Sequence, residues 1–225
     1  MSRNSVFEIH VKEAYSVGIQ RILQGLNLDS ARLLSLGGWQ HVSIHSLRKN
    51  IKKIRALLQM IKPEIGEEPY KEFNKKYREI AHKIAGLRDY TSQIVLLKNL
   101  QHPLQKKQLN NCLAKAARQI AQMRKHDFHN FYSREMHHII RKEFNVLAQS
   151  VATLKVEGRV ENVISDALHN RYQASQSAMQ KAFSTNLDED YHDWRKDAKN
   201  LMYQLSVIRN IWPEYFLALI LELDK

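Results

Sequence analysis

Two stretches of this chain set a histidine and several cations at the same spacing. HSLRKNIKKIR, His45 to Arg55, holds Arg48, Lys49, Lys52, Lys53 and Arg55 and no acid. HDWRKDAKNLMY, His192 to Tyr203, repeats the skeleton with His192, Arg195, Lys196 and Lys199, so both fit H-x-x-R-K-x-x-K. At about 100° per residue, His45, Arg48, Lys49, Lys52 and Arg55 share one side of a helix, while Leu47, Ile51, Ile54, Leu58 and Ile61 gather opposite. In the second copy Trp194, Ala198, Leu201, Leu205 and Ile208 lie opposite the cations. Lysine and arginine suit phosphate, since both bring charge and several donors and arginine adds a bidentate fork. A histidine beside phosphate is favoured in its protonated form, so it strengthens binding as pH falls through its pKa.

An ordinary solvated helix face mixes Glu with Lys four residues apart. Neither stripe does so; Asp193 and Asp197 flank the second one towards its edges. Like charges at that spacing destabilise a helix, so a bound polyanion is the expected compensation. Lys75, Lys76, Arg78, Lys83 and Arg88, then Arg134, Arg141 and Lys142, are candidate extensions of the track with less weight, because single basic residues on a helix are normally just solvated.

Helices must carry these stripes. Seven glycines and four prolines in 225 residues are too few for a turn-rich β or α/β chain. Apolar periodicity predicts helices over 7–26, from the first motif to Pro63, over 70–85, a short one before QHP, then 104–124, 131–154, 160–183, the second motif to Trp212, and a short last helix: about nine in all. KHDFHN, Lys125 to Asn130, is the expected bend between two of them, and STNLDED carries a helix-capping pattern ahead of Tyr191. Each motif helix is preceded by a helix of similar size and followed by a proline, Pro63 or Pro213, which marks an internal duplication.

Bulk charge points the same way. Thirty-five Lys and Arg against 23 Asp and Glu leave +12, a surplus that attracts polyanions: nucleic acid, an anionic surface or an inorganic polyphosphate. Cys112, the lone cysteine, rules out an internal disulfide and is expected to be an inert core thiol. No run of about 18 apolar residues and no signal-peptide pattern occurs, so a soluble, reducing, cytoplasmic setting without membrane contact is expected. Trp39, Trp194 and Trp212, and Met60, Met123, Met136, Met179 and Met202, are expected to pack in the core or at bundle edges.

Two other functions compete. A single-strand nucleic-acid binder interleaves aromatics with its cations; the first stripe has none and the second only Tyr203, although A-form RNA read by shape stays open. A metal-dependent phosphohydrolase needs converging ligands. His41 and His45, His126-Asp127, His137-His138 and His192-Asp193 are the candidates, but the cations around His45 and His192 repel a divalent ion. No cofactor, no resident metal and no enzymatic activity are expected.

The stretches HSLRKNIKKIRALLQMIKP, IAHKIAGLRDYTSQIVLLKNL and YHDWRKDAKNLMYQL, in that order, resemble the CHAD domain, the conserved histidine α-helical domain. The first resembles H-x-x-R-x-x-x-[RK]-[RK]-x-R through His45, Arg48, Lys52, Lys53 and Arg55. Ala85-Gly86-Leu87-Arg88-Asp89, leading to Val95 and Leu96, is similar to the middle signature, and His192, Arg195, Lys196, Lys199 and Tyr203 to the last. Asn200 and Met202 stand where the family usually has cations. The resemblance covers nearly the whole chain. It implies an all-α fold: a pair of antiparallel, four-helix-type bundles, here 1–103 and 104–225, related by pseudo-two-fold symmetry around a basic central groove or pore. It also implies binding of inorganic polyphosphate, with association with polyphosphate granules. EIHVK, Glu8 to Lys12, lacks the second acid of the tunnel-hydrolase signature found in some fused relatives, so the domain is read as standing alone.

Overall fold

The computed structural model describes residues 18–35, 41–101, 107–155 and 160–224. Among them every regular element is helical: α1 Ile19–Leu33, α2 His41–Met60, α3 Lys62–Ile65, α4 Glu67–Lys83, α5 Ala85–Gln101, α6 Lys107–Ser133, α7 Met136–Ala152, α8 Val160–Thr185, α9 Asp188–Ile208, a 3-10 turn Arg209–Ile211, and α10 Pro213–Asp224.

Amphipathic spacing accounts for the two motif helices. On α2, Leu47, Ile51, Ile54, Leu58 and Ile61 just beyond it are all at most 2% exposed; on α9, Leu201, Leu205 and Ile208 are buried. The apolar sides are as the periodicity predicts on α2 and over the second half of α9, whereas Trp194 and Ala198 nearer its start are only partly buried. Pro63 lies in the first turn of α3, where its missing N–H costs nothing. Gly66 then separates α3 from α4 at φ 84°, ψ 166°, a conformation essentially reserved for glycine.

Several expectations change. Residues 1–17 and 36–40, including most of the predicted 7–26 helix, the Gly37-Gly38 stretch and Trp39, lie outside the described residues; α1 itself runs on to Leu33. KHDFHN is not a bend. α6 passes straight through it, because Ala117, Ile120, Arg124, Asp127, Phe128 and Phe131 keep one inward face and the polar residues between them merely face out. The chain reverses instead at Arg134 and Glu135, whose φ is 54°. STNLDED makes no side-chain cap on α9: Leu187 occupies that position, and the Thr185 hydroxyl donates to Asp190 at 2.6 Å. α9 stops at Ile208 rather than Trp212, and Pro213 opens the next helix. Cys112 is exposed on the outer face of α6, not in the core. Met123 and Trp212 are also exposed, the latter stacked on Tyr215.

The chain forms two compact units built from interleaved segments. The first contains 1–27, 50–75 and 147–225; the second contains 28–49 and 76–146. Within the first, α8 packs against α9 and α9 against α10; within the second, α5 packs against α6. The helix α2 contributes to both, its basic residues before Asn50 belonging to the second unit.

Candidate polyanion-binding cleft

In the first unit the second half of α2 lies beside α9. The Gln204 amide donates to the Ala56 carbonyl at 3.3 Å, an approach that the small Ala56 side chain allows. One turn away, Asn200 Nδ2 donates to Gln59 Oε1 at 2.6 Å. Lys52 Nζ stands over the Tyr203 ring, 5.8 Å from its centroid. These contacts join residues 52, 56 and 59 of α2 to 200, 203 and 204 of α9, so outward residues of both motifs line one cleft.

That cleft has a volume of about 620 Å³. From the first motif it takes Lys52 and Arg55; from the second, His192, Arg195, Lys196 and Lys199. Five cations and a histidine thus share one concavity. Arg55 is oriented by its Nε donating to Asn74 Oδ1 at 2.7 Å. His192, Arg195 and Lys196 are exposed.

The second stripe is not as uncompensated as its sequence implies. Asp224, at the end of α10, enters the cleft and accepts from Lys199 Nζ at 2.6 Å, while the Leu223 carbonyl accepts from the same ammonium at 3.2 Å. Lys196 pairs with Asp193 at 2.8 Å, one turn back on its own helix. That Lys196 hydrogen bond holds the Asp193 carboxyl below its ordinary range. Asp197 is drawn away by Arg171 at 2.7 Å. Burial, and next the negative Asp224, push the Tyr203 phenol up, against the opposing pull of Arg195, so it stays neutral at physiological pH.

Other predicted residues are not gathered here. His45, Arg48 and Lys49 fall in the second unit, and Lys53, half-buried in the first, is not among the residues lining the cleft. Lys75, Lys76, Arg78, Arg134 and Lys142 are exposed. Lys83 pairs with Glu143, and Arg141 donates to Ser35 Oγ at 3.3 Å. The side chains of Arg88 and His41 lie outside the described residues.

Tyr70, Asn74, Gln59 and Asp224 were not legible as site residues. Gln59 and Asn74 carry no charge to flag them, and Asp224 reaches the cleft only through the packing of α10. Asn200, a departure from the family pattern, has a use: it ties α9 to α2 where a cation would repel Lys52 and Arg55.

Two of the candidate metal ligands are otherwise engaged. Asp127 accepts from the Tyr90 hydroxyl and Asp193 from Lys196. Among the described residues no three His, Cys, Asp or Glu side chains group so as to hold a metal ion, and no helix is long and apolar enough to cross a membrane. The family model for the CHAD domain matches residues 33–225, nearly the whole chain. No curated protein matches the sequence, and no solved structure matches it.

Proposed function

This chain belongs to the CHAD domain family, and from that premise we propose that it binds inorganic polyphosphate and is not itself an enzyme. The observation that carries the reading is the shared cleft, where Lys52 and Arg55 of one motif stand with His192, Arg195, Lys196 and Lys199 of the other. Polyphosphate has a charge at nearly every repeat and no bases, so its binder needs closely spaced cations on a rigid frame rather than groove readout or stacking. Two helices joined by the Gln59–Asn200 and Gln204–Ala56 bonds are such a frame. The proposal includes the pair of pseudo-symmetric bundles and the basic groove that the duplicated motif implies, and a cytoplasmic place on polyphosphate granules. His45, Arg48, Lys49 and Lys53 are further candidate phosphate donors on the motif helix.

The test is a titration with polyphosphates of defined length, repeated at several salt concentrations. Affinity should fall steeply with salt, by roughly one released counterion per neutralised phosphate. Replacing Lys52 and Arg195 together by Glu should abolish retention with helicity unchanged, and Arg48→Glu should weaken it; unchanged retention in both removes the site. RNA is the second reading, since Tyr70 and Tyr203 line the cleft. Their rings already face cations, Lys62 at 5.1 Å and Lys52 at 5.8 Å, which leaves less for a base to stack on. Equal displacement by RNA of matched charge would make the protein a general polyanion binder. Phosphate release from long-chain polyphosphate with Mg²⁺ or Mn²⁺ would revive the hydrolase.

A further inference from the structure

Single exposed apolar side chains are ordinary on a protein surface, whereas neighbouring groups of them mark places where something docks. Two such groups, one in each compact unit, are flanked by opposite charges. In the second unit α5 packs against α6, and only residues 102–106 join them, so the end of α5 lies by the start of α6. At that end Val95, Leu96, Leu100 and Leu109 are between 42% and 58% exposed. In the first unit the turn from α8 to α9 exposes Phe183 and Leu187, at 63% and 59%. The Phe183 ring leans on Tyr191 and Trp194, with centroids 5.9 and 5.6 Å away, which fixes it from one side.

The signs of charge are opposed. Residues 90–126 contain seven Lys and Arg and no acid; Lys98 on α5 and Lys115 on α6 are exposed. Residues 182–194 contain Asp188, Glu189, Asp190 and Asp193 and no Lys or Arg. Asp190 is taken by Lys181 at 2.6 Å and Asp193 by Lys196 at 2.8 Å, while Asp188 and Glu189 stand exposed in the first turn of α9. The helix dipole alone favours acids there, but it does not account for the bare Phe183 and Leu187 beside them.

Both groups are exposed with the whole chain in place, so neither covers the other within one molecule. Polyphosphate has no apolar surface and uses neither. Like groups from two copies would set like charges face to face. An anionic membrane suits Lys98 and Lys115, yet residues 91–127 hold no Trp, Tyr or Phe to anchor at headgroup level. The unlike group of a second copy satisfies charge and apolar surface together.

We propose that the basic apolar end of α5 and α6 docks the acidic apolar α8–α9 turn of a second copy, so that the protein self-associates through two unlike surfaces. Asp188 and Glu189 face Lys98 and Lys115, and Phe183 and Leu187 cover the exposed leucines. Six exposed apolar side chains make a small contact, of the weak and transient class. The +12 of each copy opposes approach, but at about 0.15 M salt that repulsion is screened beyond about 8 Å, and pairs in contact are screened less.

The test is sedimentation velocity of the full chain at that salt, from about 10 to about 500 μM, without polyphosphate so that the outcome stands apart from polymer binding. The average mass of the wild type should rise with concentration. Lys98→Glu with Lys115→Glu, and separately Asp188→Lys with Glu189→Lys, should each weaken self-association at least about tenfold. An equimolar mixture of the two variants should form a heterodimer, since each keeps the surface the other has lost, a recovery that misfolding would not produce. Circular dichroism checks that each variant is helical. Should the α9 variant not fold, the exposed Leu187→Ser takes its place in the mixture. A wild type that stays monomeric, variants that associate as the wild type does, or a mixture no more associated than its components overturns the proposal. With a monomeric wild type, flotation with phosphatidylglycerol vesicles that is lost in Lys98→Glu with Lys115→Glu would assign the α5–α6 end to a lipid surface instead.

Discussion

Lys199 reaches a carboxylate and a carbonyl on the last helix, so one of the cleft's own cations is engaged before any ligand arrives. On the proposed function, Asp224 is an internal anion that competes with phosphate for this ammonium. Asp224→Asn should therefore raise polyphosphate affinity by about two- to fivefold at low salt, the scale of one partly exposed ion pair, with the gain shrinking as salt rises; a binding isotherm at two ionic strengths checks this. Histidine matters elsewhere too. His137 packs against Tyr132 and His138, with ring centroids at 4.8 and 4.0 Å. Burial, and next the neighbouring His138, hold its pKa below the ordinary value, Arg141 adding to this and Glu135 opposing it. The unfolded chain then takes up the proton first as pH drops below about 6.5, so the contribution is full above that value and is lost on acidification. Urea midpoints should fall from about pH 7 to about pH 5.5 in the wild type, and less so in His137→Gln. Lys52, Arg55, Arg195, Lys196 and Lys199, the stripe cations that line the cleft, were legible because residue type and spacing place them on the polar sides of their helices. Asp224 was not, because nothing local says what a distant helix end will touch.

At the scale of elements, the apolar faces of α2 and α9 follow directly from periodicity, and the miss at KHDFHN has an equally simple origin. A polar run with no glycine or proline is a helix surface as readily as a loop, and inward residues before and after it in phase decide for the helix. Glycines can be sorted by the same local reasoning. Gly25 lies inside α1 with no atom within 4 Å of an added Cβ, whereas Gly66 holds φ 84° between α3 and α4. Gly25→Ala should stabilise the protein by about 0.5–1 kcal/mol. Gly66→Ala should destabilise it by about 1–3 kcal/mol. Thermal melts of the two variants should move in opposite directions.

For the whole molecule, the all-helical class was plain from scarce glycine and proline and from periodicity. Which segments associate was not, since amphipathicity says that a face is buried and not against what. The stretches 1–103 and 104–225 each contain parts of both compact units. Expressed separately, they should lack cooperative unfolding transitions, and mixing them should restore one; a sharp melt for either alone would show that it folds by itself.

The cleft's cations come from residues 52–55 and 192–199. During translation, then, the first row leaves the ribosome long before its counterpart exists. The first row is therefore synthesised without its counterpart, and on the proposed function a polyanion would find both rows only once residues 192–199 have emerged.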